Sequence, residues 1–309
     1  MSAIAQGVRP PLDGRAWRQI AFLTLGAVAL FVIVRRLPTG TNLAHVDFQV
    51  PGGNVIQFCD AANPAFIPVV AVKSPVTMEL TAAVPPAAGV AVPMTLTLRT
   101  FTGRPIAPED LVESHTKLLH LMVVDPSLRD YQHIHPVPGR RPGDWDFTVT
   151  PRQAGRYRVF ADFTPAATGL GLYASAEFMV PGVPDAPPAA DNWTCVADGL
   201  RFTLAADAPI RVRDVVNLTL TVESAAGRHP VPLEPVMGAY AHLVAFDRGR
   251  TGFAHIHPQQ TDLSQHPDLY RPQLTFKVQI PQAGRFVIWS QVRVGGRDRF
   301  APFWFEVTR

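Results

Sequence analysis

At 309 residues the chain exceeds one ordinary domain and is long enough for two, each burying its own core. It is 47% hydrophobic and 17% charged, with 31 prolines and 22 glycines, which excludes disorder for most of its length and suits turn-rich β domains better than helical bundles. The net charge is only +3 and the arginines are scattered, so no nucleic-acid footprint is visible. The two cysteines, Cys59 and Cys195, form no CxxC pair, which leaves zinc ribbons and thioredoxin-like chemistry unsupported. One long-range disulfide and two unrelated buried thiols both remain open readings.

The first predicted element is membrane-like. Ile20 to Val34 reads IAFLTLGAVALFVIV without a charge, bracketed by Arg15 and Arg18 before it and by Arg35 and Arg36 after it. The uncharged run is shorter than the roughly 20 residues that span a bilayer, so a signal-peptide core competes with an anchor. The following LPTGTNLAH offers only Ala44 as a cleavage position, with Asn42 where a small apolar residue belongs, which favours an uncleaved anchor. Three arginines precede the segment and two follow it, placing residues 1–19 in the cytoplasm and the rest outside a bacterial inner membrane, in the periplasm or beyond the cell. Residues 20–36 are then the single transmembrane or signal segment. Residues 37–74 are a membrane-proximal linker, with an edge strand expected at His45–Val50.

The remainder carries a self-match. LHLMVVDPSLRDYQHIHP, with His120, His133 and His135, returns as AHLVAFDRGRTGFAHIHP, with His242, His255 and His257. The first and second histidines are 13 positions apart in both copies, and the third follows two later. Downstream, AGRYRVFADF is answered by AGRFVIWSQV, so the repeat is of domain size. The Pro-x-x-Ala-Gly-x-aromatic run that opens this stretch reads as the corner before a late sandwich strand. PGVPDAPPAAD, residues 181–191, is a semi-rigid linker between residues 75–180 and residues 192–309. Short alternating runs such as TMELTAAV, MTLTLRTF, WDFTVT, LRFTL, VNLTLTV and LTFKVQI, separated by turn signals, predict strands. The expected fold class is all-β: two tandem immunoglobulin-like antiparallel β-sandwich domains after one N-terminal transmembrane helix.

Residues two apart on a strand leave the same face, so His133 and His135 can share one ion, as can His255 and His257. Folding a hairpin about Asp125–Leu128 sets position 120 opposite 134, and folding about Arg248–Arg250 sets His242 opposite Ile256. Three imidazoles per copy then converge across one strand pair. Neutral imidazoles suit copper or zinc, while calcium and magnesium prefer oxygen. Copper is favoured because it binds such a site more tightly and an exported protein escapes cytosolic restriction of that metal; zinc is the alternative. Five residues before the first histidine the copies carry His115 and Met237, secondary candidates to complete a shell, although alternation alone sends His115 to the other face. Asp162 and Gln291 occupy matching positions on the following strand, Asp162 as a candidate supporting partner. The counter-reading is that such histidines simply hydrogen-bond inside loops. His45, His229 and His266 have no counterpart and read as solvated loop residues. Trp145, Phe147, Trp289 and Trp304 read as core, and Glu109–Asp110 and Asp144–Asp146 as solvated carboxylates.

The run HLMVVDPSLRDYQHIHP resembles a motif of exported or membrane-anchored bacterial proteins associated with heavy metals, in which a His-Leu strand leads through an aspartate-containing turn to His-x-His-Pro. The resemblance covers residues 113–163 and, more loosely, 234–292, where DRGRTG replaces the usual turn. It implies metal binding at His120, His133, His135, His242, His255 and His257, and brings no reaction with it. The leading function is therefore a non-catalytic, membrane-anchored protein that buffers or delivers copper, one three-histidine site per domain. The alternative is an envelope scaffold or adhesion module with an envelope protein partner and incidental histidines. A zinc or copper enzyme ranks third, since no general base follows either HxH: the sequence continues as PVPGRR in one copy and PQQTD in the other.

Overall fold

The protein was described through a computed structural model covering residues 13–36, 41–49 and 65–309. The chain divides into two compact units, Met1–Thr41 and Asn42–Arg309. In the first, Gly14–Arg36 forms the 23-residue helix α1. Asp13 opens it by accepting the amide of Ala16 at 2.7 Å, a cap that starts the helix six residues before the uncharged run. The added turns remove the apparent shortfall in length: at about 1.5 Å per residue the helix reaches about 34 Å. Gly14–Val34 is long and apolar enough to cross a membrane, and none of that span is buried within the chain.

The second unit holds seventeen strands among its described residues. They are β1 Val76–Ala82, β2 Val92–Thr100, β3 Leu111–Val112, β4 Leu119–Val124, β5 Tyr131–Ile134, β6 Val137–Pro138, β7 Asp144–Val149, β8 Gly155–Pro165 and β9 Leu172–Val180. There follow β10 Thr194–Ala197, β11 Leu200–Ala206, β12 Val215–Ser224, β13 Ala241–Asp247, β14 Phe253–Ile256, β15 Gln273–Gln279, β16 Gly284–Val294 and β17 Arg297–Val307. In the first half, the sheet β1-β2-β7-β6 is joined by a sheet in which β4 and β8 are central, β5 and β9 flank them and β3 pairs with the end of β8. In the second half the sheets are β10-β11-β12-β15 and β14-β13-β16-β17. Every strand pairing is antiparallel, and each half is an immunoglobulin-like sandwich.

Alternation explains the two inner cores. Leu96, Leu121, Trp145, Phe147 and Val159 meet inside the first sandwich, and Phe202, Leu220, Leu243, Phe276 and Ile288 inside the second. A third core joins the sandwiches. Met122, Val124, Tyr131 and Phe160 leave the outer face of the first half and pack on Val244, Phe246, Phe253, Val287, Trp289 and Trp304 of the second. Strands β4 and β13 are consequently buried on both faces, which is why LHLMVV and AHLVAF are nearly unbroken apolar runs. The tryptophans divide accordingly: Trp145 fills an inner core, while Trp289 and Trp304 serve the joint.

Local chemistry fixes the corners. The Tyr157 hydroxyl accepts the amides of Arg152 and Gln153 at 3.2 and 2.9 Å and donates to Asp130 at 2.7 Å, a tyrosine corner at the start of β8. At the matching point of the second half Phe286 lacks the hydroxyl.

Two sequence expectations are corrected. His45–Phe48 forms a short 3-10 turn instead of an edge strand; the edge of β14 is met by Ile67, which exchanges backbone hydrogen bonds with Phe253 at 2.8 and 3.1 Å. Gly252 permits that approach, since a Cβ there would lie 1.9 Å from the Ile67 carbonyl oxygen. Asp110 and Asp144 are buried, not solvated: Asp110 accepts the amides of Asn42, Leu43 and Ala107, and Asp144 pairs with Thr97 and Arg141. Cys195 is a half-buried free thiol on β10, and Cys59 lies outside the described residues.

Phe246 is fully buried with its ring centre 5.5 Å from Tyr131 and 6.0 Å from Phe160 across the joint. Phe246→Ala is expected to cost about 3 to 5 kcal/mol, read by urea denaturation, because the cavity opens between two halves that cannot both collapse into it.

Candidate metal centre

The hairpin between β4 and β5 sets the ligand geometry. Leu121 pairs with Ile134 and Leu243 with Ile256, so His120 and His242 stand level with His135 and His257, one place beyond the register expected from sequence. The loop is longer than expected: the Asp125 amide donates to the Asp130 carbonyl at 3.2 Å, and the Asp125 carboxylate accepts the amides of Ser127 and Asp130 at 2.8 Å. Asp247 holds the second loop through the amides of Gly249 and Thr251 at 3.1 and 2.7 Å. The correction matters, because residues directly opposite on antiparallel strands share a face. The observed register puts His120 on the face of His133 and His135, where the expected one would have turned it away.

That face is the outer one, at the edge of the joint between the sandwiches. In each triad one ligand atom from each histidine lies within 4.8 Å of the others. Ring centres are 5.4, 5.0 and 4.9 Å apart in the first triad and 5.4, 4.7 and 4.7 Å in the second. Three imidazoles around one tetrahedral ion would hold their ring centres roughly 5 Å apart, given metal–nitrogen bonds of about 2.0 Å.

Hydrogen bonds fix which nitrogen is free in His120, His133 and His242. His120 Nε2 lies 2.9 Å from the Ser114 carbonyl oxygen, which can only accept, so the proton sits on Nε2 and Nδ1 carries a lone pair. His133 Nδ1 lies 2.9 Å from Gln291 Oε1, and Gln291 is oriented by donating from Nε2 to Asp298 at 3.0 Å. His133 therefore presents an unprotonated Nε2, and it does so 3.2 Å from the unprotonated Nδ1 of His120. The second triad repeats the arrangement: His242 Nε2 donates to the Val236 carbonyl at 2.9 Å, and its Nδ1 faces His255 Nε2 at 3.3 Å. His255 Nδ1 lies 3.5 Å from Asp162. Two lone pairs directed at one another repel unless a cation stands where they meet.

A proton is a poor candidate for that cation. Burial pushes His120 and His135 down to about 4, His242 to about 3 and His257 to about 2. Burial, with the neighbouring imidazoles behind it, also holds His133 and His255 well below the ordinary histidine value. All six are neutral at pH 7. His135 Nε2 and both nitrogens of His257 are buried without a hydrogen-bond partner among the described residues, so the donor set fits a metal ion on polar grounds as well.

The supporting residues are exchanged between the halves. Gln291 pairs across the sheet with His242, yet its amide serves His133; Asp162 pairs with His120, yet its carboxylate serves His255. Asp162, the candidate support read from the sequence, serves the triad of the other half. Gln291 and the Ser114 and Val236 carbonyls were not foreseen. Burial pushes the Asp162 carboxyl up to about 7. His115 escapes strand alternation because it lies in a turn with φ of 51°, and its ring stands 3.9 Å from that of His257, in the other half. Met237 is buried in the corresponding turn with φ of 50°. His229 and His266 are exposed on loops, His266 against the Tyr240 hydroxyl at 2.8 Å.

No curated protein matches the sequence. Among solved structures, Escherichia coli alpha-2-macroglobulin in its native conformation is similar at 13% identity over 75% of this chain and 17% of that one, with a TM-score of 0.22. Salmonella alpha-2-macroglobulin reacted with methylamine gives 12% identity over 75% and 15%, with a TM-score of 0.23. The fibronectin(III)-like modules of Clostridium thermocellum CbhA give 10% identity over 74% and 94%, with a TM-score of 0.20. The chain thus spans less than a fifth of the length of these macroglobulins. One family profile matches residues 71–179 and 194–309, segments that contain both triads and both supporting residues. The chain belongs to that family, described as Domain of unknown function (DUF8832).

Proposed function

We propose that the protein binds copper at two three-histidine centres and buffers or delivers it on the outer side of a bacterial cytoplasmic membrane, to which α1 anchors it. The observation that carries this reading is the facing lone pairs of His120 Nδ1 and His133 Nε2, each nitrogen held unprotonated by a hydrogen bond on its far side, with His242 Nδ1 and His255 Nε2 facing each other in the same way in the second triad. The two sandwiches, residues 75–180 and 192–309, are copies of one metal-binding domain joined by the linker 181–191.

Charge supports copper over zinc. Neither triad contains an anionic ligand. The His133 and His255 ring centres are 5.4 Å apart, so ions held by the two triads lie no more than about 12 Å from each other. At that distance and an effective dielectric of about 20, two divalent ions repel by at least about 5 kcal/mol and two monovalent ions by about a quarter of that. Copper can fill a neutral, nitrogen-only site in its monovalent state; zinc cannot.

Calorimetric titration of the detergent-solubilised chain is expected to show about two copper ions per chain, and none once His133, His135, His255 and His257 are all alanine. Equal behaviour of the two proteins would overturn the reading. The exchanged supports yield a sharper expectation: Gln291→Ala, although it lies in the second half, weakens the centre of the first half by about 10- to 100-fold. Asp162→Ala does the converse, and competition with a copper chelator in single-centre variants measures both. Copper is also expected to raise the melting temperature, with about 4 kcal/mol of stabilisation at a thousandfold excess over Kd.

A further inference from the structure

The two triads differ in what stands over them. Ser114 to Lys117 form a tight turn closed by two backbone hydrogen bonds of 2.9 and 3.1 Å. Its central residues, His115 and Thr116, have φ of 51° and 68°, a left-handed conformation usual for Gly or Asn and costly for other side chains. The turn performs two tasks. The Ser114 carbonyl holds the His120 tautomer in the first triad, while the His115 ring is carried across the joint to the second.

There His115 lies 3.9, 6.0 and 6.5 Å from the ring centres of His257, His255 and His242, and 6.1 Å from His120 of its own half, so its nearest ring is His257. The three members of that triad are themselves 4.7 to 5.4 Å apart. A fourth imidazole on a shared tetrahedral ion would sit roughly 5 Å from each, so His115 would take that place by moving about 1 Å away from His257 and about 1 to 1.5 Å toward His255 and His242. His257, the ring it leans on, has both nitrogens buried without a partner among the described residues. The matching turn, closed between Val236 and Ala239, carries Met237 instead of an imidazole.

We infer that His115 of the first half is the fourth ligand of the second centre, which makes the two copper centres chemically unequal. This rests on the metal-binding reading above. His242, His255, His257 and His115 form a closed four-nitrogen set, whereas His120, His133 and His135 receive no fourth nitrogen from the equivalent turn and keep an open position. The second centre retains its ion and ties the halves together; the first exchanges.

The test uses the full chain with His133→Ala and His135→Ala, which isolates the second centre. To this background His115→Asn is added, asparagine being tolerant of the turn conformation, and separately His115→Met. Cupric ion bound to the background is expected to show four-nitrogen coupling by electron paramagnetic resonance. With His115→Asn the coupling falls to three nitrogens and cupric affinity drops at least about tenfold, while the metal-free melting temperature is unchanged. His115→Met is expected to raise the ratio of cuprous to cupric affinity. If His115→Asn changes neither the spectrum nor the affinity, the four-ligand proposal is overturned while metal binding stands. If the background binds no copper at all, the metal reading of this triad fails, and the proposal with it.

Discussion

The structure depends on packing the outer faces of two sandwich sheets against each other. An exposed outer face would leave His120 and His242 at the polar surface, titrating near neutrality and exchanging water. Instead Phe160, Phe246, Trp289 and their neighbours remove both faces from water at once, and the histidines at the rim of that joint are desolvated with them. Burial keeps them neutral, and neutrality leaves a lone pair on each ring free for a metal. The apolar joint and the neutral histidine triads are therefore consequences of one packing arrangement.

The same joint explains why each half supports the other's site. Side chains on two packed sheet faces interdigitate across a gap of about 10 Å, so a long polar side chain on one sheet can meet a ring on the other. Gln291 and Asp162 thus cross to His133 and His255, and Arg158 and Arg250 cross in the same way to backbone carbonyls of the opposite half, at Arg250 and Arg156. An isolated sandwich would keep its three histidines but lose the hydrogen bond that sets the tautomer of the second.

Near-symmetry also makes the differences informative. An amide backs one triad and a carboxylate the other; an imidazole overhangs one, while the matching turn carries a thioether. Each substitution alters the charge or donor type at a fixed place without altering the fold, because both turns keep the same backbone conformation, with φ of 51° at His115 and 50° at Met237.

Much was legible in the sequence because it is local. The periodicity of the strands, the apolar N-terminal run and the 13-residue histidine spacing are properties of short windows, and strand alternation alone puts His133 with His135 and His255 with His257. The hairpin register was not legible, since it turns on the aspartate cap of a loop one residue longer than expected, and a one-residue slip inverts a face. The unbroken runs LHLMVV and AHLVAF did carry a signal of strands buried on both sides, and that signal pointed to a second packing surface. Nothing local named the opposing surface. That His115 belongs beside His257 and that Gln291 serves His133 follow from contacts between residues more than a hundred positions apart, which only the docking of one sandwich on the other could decide.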